Sequence, residues 1–240
     1  MKRITFSTLF ATALLSSARA DLTIVQQVEG AGPQAQMTMK LKGDKARVEA
    51  APELTMIYDG KTGETLNIVH PQKLVMRTTA AQGKAAAAAM AAADGKPGPA
   101  VAKPKITPTG KKETINGYEA EEYVTDAAKY KISYWVAKNY PQADAILKQM
   151  QAMTPQAMST AGAAVAPDFR DFPGLPIRTN IIAGETKIVS TITSVKLDPL
   201  PDSEFTVPAG YKEMKTPEGA TLGAKPDDAA APKAGTSPKP

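Results

Sequence analysis

Apolar and polar residues alternate with a period of two along the first third of the sequence. In residues 34–42 every second position is apolar, namely Ala35, Met37, Met39 and Leu41. This pattern is typical of a strand with one buried and one solvated face, because successive side chains of a strand point to opposite faces. Similar strands are predicted at residues 22–29, 45–50, 54–59, 64–70 and 73–79. Six strands joined by short polar turns indicate an antiparallel meander.

The second half of the chain continues with antiparallel strands. The Asn-Gly pair at residues 116–117 is a strong hairpin signal, because both residue types accept the positive φ of a tight turn. Further strands are predicted at residues 118–125, 131–137, 177–183 and 186–197, and residues 205–214 close the domain. We therefore expect a mainly β protein of the α+β class.

Two segments interrupt the strands. Residues 80–104 combine an alanine tract with a linker rich in Pro, Gly and Lys. Alanine favours helix, but so short a helix is marginal alone in water, so the tract is either a docked helix or a disordered insert. A second helix is predicted at residues 141–164, where Ile146, Leu147 and Met150 recur at spacings of three and four and form one apolar stripe.

The N-terminus has the three parts of a secretory signal. A basic pair at residues 2–3 precedes an apolar run at residues 4–15, and Ala-Arg-Ala follows at residues 18–20. As a membrane anchor the run is too short, since about twelve residues do not span roughly 30 Å of hydrocarbon. We expect a signal peptide at residues 1–20 that is cleaved after Ala20, and a periplasmic mature protein without a transmembrane segment.

The C-terminal residues 215–240 consist mostly of Ala, Pro, Lys and Asp, with Leu222 as the single large aliphatic residue. Such a segment buries too little apolar surface to offset the entropy of ordering, which predicts disorder. Residues 21–214 then form one domain.

Charge and composition exclude several functional classes. The net charge of +5 includes three basic residues of the predicted signal, and without them 26 basic residues face 24 acidic ones. So small and dispersed an excess predicts no nucleic-acid partner. The sequence has no cysteine and one histidine, so no disulfide, no metal site and no cofactor are predicted, because closed metal sites use several such ligands.

Candidates for catalysis are few. The single histidine, His70, precedes a proline at a strand end, where it is typical of a turn. Glu119 and Glu121 share one face of a strand, which indicates a solvated face rather than acid/base work. A hydrolase that uses Asp168 and Asp171 is the weakest of the alternative functions. The sequence predicts no enzyme.

Methionine is the remaining signal. Nine methionines lie outside the predicted signal peptide, and most occupy positions assigned to an inward face. Flexible, polarisable methionine fills irregular cores, and it also suits surfaces that accept varied apolar ligands. Both interpretations stay open. The candidate residues of an apolar pocket are Met37, Met39, Met56, Met76, Tyr134, Ile146, Met150 and Met153.

The motifs INGYEAEEY at residues 115–123 and FTVPAGYKEM at residues 205–214 resemble a bacterial family of unknown function, domain-of-unknown-function family 4412. The resemblance covers residues 22–214 and implies the fold of the LolA-like lipoprotein carriers. That fold is a curved antiparallel sheet, an incomplete β-barrel, with helices across its concave face. Two features depart from it, since the first inserted helix is reduced to an alanine tract and no helix precedes the first strand.

These observations favour a non-catalytic periplasmic protein that holds a lipid or acyl chain in the concave face of a half-barrel. The alternative is an envelope interaction or sensor module with a filled core, which contacts a protein through a sheet edge or through the loop that carries Phe169, Phe172 and Leu175.

Overall fold

A computed structural model describes residues 21–30, 35–93, 105–127, 130–157 and 168–215. The predicted signal peptide, the predicted tail beyond residue 215 and the last part of the predicted second helix lie outside these ranges.

Within the described ranges the chain forms twelve strands and two α-helices. The strands are β1 (Leu22–Glu29), β2 (Ala35–Lys42), β3 (Lys45–Ala51), β4 (Leu54–Asp59), β5 (Glu64–Val69), β6 (Leu74–Thr78), β7 (Ile106–Ile115), β8 (Tyr118–Ala127), β9 (Tyr130–Ala137), β10 (Leu175–Ala183), β11 (Thr186–Lys196) and β12 (Lys212–Lys215). The helices are α1 (Ala80–Ala93) and α2 (Ala143–Ala157), and short 3₁₀ turns occupy Phe169–Asp171 and Asp202–Phe205.

All twelve strands belong to one curved, open sheet. Its order is β12-β6-β5-β4-β3-β2-β1-β11-β10-β9-β8-β7, and each neighbouring pair is antiparallel except β12 and β6, which are parallel. The order confirms the predicted meander, because β1 to β6 follow one another in space as they do in sequence. β1 also pairs with β11, and this pairing joins the meander to the rest of the chain.

The Asn-Gly hairpin is confirmed between β7 and β8. Asn116 has a φ of 49° and Gly117 a φ of 84°, so both residues adopt the left-handed conformation that a two-residue turn requires. The alternation pattern does not predict β7 itself, whose residues between Ile106 and Ile115 are all exposed. Nor does it predict β12, which is four residues long.

The first face of the meander carries a buried cross-strand row. Residues directly opposite each other in a ladder share a face, and this row comprises Leu22, Leu41, Ala46, Tyr58 and Thr65. Helix α2 contacts β2, β3 and β10 and adds Ile146 and Leu147 to the same core cluster. The predicted apolar stripe of α2 therefore packs against the sheet.

Part of the opposite face of the meander is covered by the C-terminal segment, residues 197–211. Phe205 is buried against Ile57, Ile68 and Val75. The Glu204 carboxylate lies 2.9 Å from Lys40 Nζ, and the Glu204 carbonyl accepts a hydrogen bond from the Arg47 guanidinium at 2.9 Å. Apolar burial and charged contacts together hold this segment on the sheet.

Substitution of Gly30 tests the junction between β1 and β11. Gly30 has a φ of +89°, and a Cβ added there would lie 1.8 Å from the backbone oxygen of Lys187 in β11. Gly43 has a φ of +56° with open space around it, so Gly43→Ala should lose only the left-handed penalty of about 1–2 kcal/mol. We expect Gly30→Ala to lose clearly more free energy of unfolding, as measured by urea denaturation. Equal losses would show that the junction tolerates the extra carbon.

Candidate functional site

One cross-strand row on the first face contains four methionines. By direct pairing from β1 to β6 and on to β12, it comprises Ile24, Met39, Val48, Met56, Asn67, Met76 and Met214. We call it the methionine row. Neighbouring strands lie about 4.8 Å apart, so seven strands give the row a length of roughly 29 Å.

The methionine row is closed at its β1 end and open at its β12 end. Ile24 is buried, and Met39 packs against the core cluster beneath α2. Val48, Met56 and Met76 are half-buried, and Met214 is 46 % exposed. Within the described ranges, these four side chains belong to none of the buried clusters. Helix α2 thus contacts the neighbouring buried row at β2 and β3 and leaves much of the methionine row accessible.

A second apolar row lies beside the open end on the same face. Leu54, Val69 and Leu74 pair directly across β4, β5 and β6. Leu54 is 39 % exposed, and the other two are half-buried. Each residue lies two positions along its strand from a member of the methionine row, and side chains two apart share a face. The two rows form one apolar surface, bordered at its β12 end by Lys212, which pairs with Leu74 on the same face. Contiguous apolar surfaces mark sites of ligand or partner binding.

The structure distributes the predicted pocket residues over three environments. Met37, Met39, Met56 and Met76 share the first face. Ile146 is 1 % exposed and fills the core under α2, where Met150 packs against the same cluster. Tyr134 belongs to a separate cluster with Phe172, and the side chain of Met153 lies outside the described residues.

Two concave sites are lined by none of the predicted pocket residues. One of about 720 Å³ lies at Thr38, Glu49, Thr55 and His70, and another of about 410 Å³ is lined by Trp135 and polar side chains. Thr38, Glu49 and Thr55 pair with one another on the face opposite the methionine row. The methionine row is therefore an open surface rather than the wall of either cavity.

His70 lies between two hydroxyl groups. Its Nε2 is 2.8 Å from Thr55 Oγ1, and its Nδ1 is 2.6 Å from the Tyr211 hydroxyl. In a catalytic triad Thr55 would be the nucleophile, His70 the base and Tyr211 the group that orients the base. Tyr211 supplies a phenol, however, where such triads have a carboxylate. Thr55 is 1 % exposed. We interpret these contacts as a link between the meander and the C-terminal segment.

Three of the four candidate carboxylates, those of Glu119, Glu121 and Asp168, are engaged in local contacts. Glu121 lies 2.7 Å from Lys138 Nζ, and this hydrogen bond lowers the pKa of Glu121. Glu119 pairs with Lys112 at 3.1 Å. Asp168 is buried and accepts hydrogen bonds from Arg170. In the described ranges no three His, Asp or Glu side chains form a group that could hold a metal ion.

The side chains of Phe169, Phe172 and Leu175 pack into the core. Phe172 is 6 % exposed, with its ring centroid 5.0 Å from that of Tyr134, and Leu175 is fully buried. Phe169 packs partly buried against both neighbouring clusters. A partner could reach Phe172 or Leu175 only after the loop left the core, so their burial does not favour the interaction-loop interpretation.

Neither described α-helix has the length and hydrophobicity that a membrane span requires.

A family model described as domain of unknown function DUF4412 matches residues 21–211. No curated protein matches the sequence significantly.

Solved structures give loose similarities. Two crystal forms of PNGF-II, C2 and P21, align with TM-scores of 0.37 and 0.39 at 15 % identity. These matches cover 82 % of this chain but 31 % and 32 % of PNGF-II, so this chain spans about a third of its length. The lipoprotein LppX of Mycobacterium tuberculosis aligns with a TM-score of 0.39 at 8 % identity, over 76 % of this chain and 88 % of LppX. Scores this low carry no information on function.

Alkaline titration tests whether Tyr134 is a core residue rather than a pocket residue. Burial raises the pKa of Tyr134 to about 12, from 10.0 for an ordinary tyrosine. The pKa of Tyr134 is higher in the folded state than in the unfolded state, so the folded protein favours the neutral phenol. The resulting contribution to stability is complete below the unfolded-state pKa and is lost as the pH rises through the folded-state pKa. We expect the free energy of unfolding to fall by about 3 kcal/mol across this range.

Tyr134→Phe should lose less stability over the same pH range, as measured by chemical denaturation. Tyr58 and Tyr140, whose pKa values burial also raises, remain in both proteins and provide the background. An identical pH dependence in the variant would show that Tyr134 ionises freely and faces solvent.

Proposed function

Since this chain belongs to the DUF4412 family, a domain family of unknown function, we propose from its own geometry that it is a non-catalytic binding protein for a lipid or acyl chain. The ligand lies along the open end of the methionine row. One observation carries the proposal, namely that Met56 and Met76 stay half-buried and Met214 stays exposed, whereas the row on one side of them is buried from β1 to β5.

Methionine suits this task. Its unbranched side chain adopts several rotamers and its sulfur is polarisable, so a methionine surface adapts to apolar chains of different shape. Leu54, Val69 and Leu74 widen the surface along the strands. No charged side chain interrupts the methionine row, in which Asn67 is the single polar member.

The energetics favour a long chain. Burial of a methylene group contributes about 0.8 kcal/mol, so about ten methylenes would gain roughly 8 kcal/mol before the entropic cost of association. That cost is about 4–15 kcal/mol, which leaves little net affinity for a short fatty acid. Long-chain or multi-chain lipids are therefore the expected ligands.

Export and architecture belong to the same proposal. The predicted cleavage after Ala20 coincides with the start of the family match at residue 21, which supports a periplasmic protein whose residues 21–214 form a single domain. The contacts of α2 with β2 and β3 support a LolA-like half-barrel with helices across the concave face. In this arrangement α2 closes the β1 end of the methionine row, and the ligand enters at the β12 end.

Met56→Lys tests the binding surface. A lysine at this position would place a charge among apolar side chains and lose hydration when the ligand covers it, so we expect the affinity for a fluorescent fatty acid to fall by roughly tenfold or more. Gln36→Lys is the matched control, because Gln36 is exposed and lies on the opposite face of β2. Met56→Leu should bind like the wild type, since it keeps the apolar surface.

Native mass spectrometry of protein purified from its own cell envelope supplies the second test, with a copurifying lipid as the expected result. The proposal fails if the wild type carries no lipid and binds no fatty acid. If binding occurs but Met56→Lys leaves it unchanged, the methionine row is not the site. A protein partner captured with no lipid would support the interaction module instead.

A further inference from the structure

The smaller of the two cavities plays no part in the proposed function. Its volume is about 410 Å³, within the roughly 300–1,000 Å³ that small-molecule sites occupy. Glu29 of β1 lines this cavity and lies an odd number of positions from Ile24 of the methionine row. Since alternate side chains of a strand point to opposite faces, the cavity and the methionine row lie on opposite faces of the sheet.

The β7–β8 hairpin folds back over this face and walls the cavity. Along the sheet, β7 lies three strands from β10 and four from β11, which corresponds to roughly 14 and 19 Å. Yet the Arg178 guanidinium in β10 donates to the Glu113 carboxylate in β7 at 2.8 Å. At the hairpin turn, the Asn116 amide donates to the Ile192 carbonyl of β11 at 2.8 Å. These two contacts hold the concave shape of the site.

Trp135 is the single tryptophan of the sequence, and it lines the cavity. It is half-buried and packs partly against the core cluster. Within the described ranges, no protein group accepts a hydrogen bond from its indole N–H, although buried tryptophans usually satisfy this donor. An aromatic ring has a negative face, which attracts the weakly positive C–H groups of a saturated ring. Trp135 thus offers a ligand both a stacking surface and a donor.

Two further side chains offer polar groups at the same cavity. Asn180 donates one amide N–H to Ser133 Oγ at 3.1 Å, which leaves a second N–H and the amide oxygen for a ligand. Thr191 Oγ1 accepts a hydrogen bond from Arg178 Nε at 3.3 Å, and its own hydroxyl hydrogen can still be donated. These hydrogen bonds hold both side chains in place, so their remaining groups are oriented before a ligand arrives.

The charges at the cavity favour a neutral ligand. Two acidic residues, Glu29 and Glu113, and two basic residues, Arg178 and Lys187, line it. An ion of either sign would meet equal numbers of like and unlike charges, so no net field attracts it. An apolar ligand would remove water from these groups without replacing its hydrogen bonds.

A sugar ring meets both conditions, because its hydroxyl groups donate and accept hydrogen bonds and its C–H groups can lie against an indole ring. We propose that this cavity binds a neutral mono- or disaccharide, with Trp135 as the stacking platform and Asn180 and Thr191 as hydrogen-bonding partners. The site is separate from the proposed lipid surface and does not rest on lipid binding.

Tryptophan fluorescence tests the proposal directly, because Trp135 is its only source in the chain. We would titrate the purified protein with glucose, galactose, mannose, N-acetylglucosamine and N,N′-diacetylchitobiose, with glutamate, lysine and adenine as charged and planar controls. A saturable change in fluorescence is expected with at least one sugar and with none of the controls. The midpoint of the titration should not shift when the salt concentration is raised, since screening acts on charged ligands.

Asn180→Ala should lower the affinity for that sugar by roughly fivefold, as loss of one hydrogen bond commonly does. Thr179→Ala is the matched control and should bind like the wild type, because Thr179 precedes Asn180 in β10 and lies on the opposite face, beside Tyr134 and Ser190. Trp135→Leu removes the aromatic ring and should lower the affinity, measured by calorimetry, by roughly fivefold or more. Circular dichroism checks the folding of each variant, and Trp135→Leu carries the test if Asn180→Ala does not fold.

Parallel measurement of fatty-acid binding separates this inference from the proposed function. The inference is overturned if no sugar changes the fluorescence, if glutamate, lysine or adenine binds instead, or if Asn180→Ala and Trp135→Leu bind the sugar like the wild type. Neither residue belongs to the methionine row, so both variants should keep their fatty-acid affinity. A protein that binds fatty acid but no sugar refutes this inference alone, and one that binds sugar but no fatty acid refutes the proposed function alone.

Discussion

The pairing of β1 with β11 is the interaction on which the rest of the structure depends. It places the first strand of the domain in the interior of a twelve-stranded sheet and joins the meander to the strands of the second half. Val195 thereby lies beside Ile24, at the buried end of the methionine row. Without this pairing, the two halves would be separate small sheets, each with an additional unpaired edge.

Unequal covering of the two faces then decides where a ligand can bind. The C-terminal segment seals part of one face of the meander with Phe205 and Glu204. On the other face, Ile146 and Leu147 of α2 cover the row that contains Leu41 and Tyr58. Since a helix is only about 10 Å wide, α2 cannot cover every row of a sheet this broad. The open methionine row is thus a geometric consequence of one helix packing on a wide sheet.

The sequence predicted what local periodicity encodes. Alternation identified β1 to β6 and assigned Met37, Met39, Met56 and Met76 to one face, because the period of a strand fixes which side chains point together. It could not align these residues into a row, since register between strands depends on turn geometry and tertiary packing. The pairing of Met76 with Met214 was even less accessible, because it joins strands far apart in sequence through a parallel ladder.

The two sheet edges bear on the choice between a ligand and a protein partner. Exposed edge strands invite pairing with another chain, and proteins discourage it with short strands, prolines, bulges and lysines. β7 carries Pro108 and an irregular register before Lys112, and its middle residues are exposed and charged. β12 is four residues long and begins with Lys212. Both edges thus have features that oppose strand addition, whereas the members of the methionine row carry no charge and the nearest charged residue on its β12 edge is Lys212, beside Leu74. Recognition through the face of the sheet is therefore physically easier than recognition through its edges.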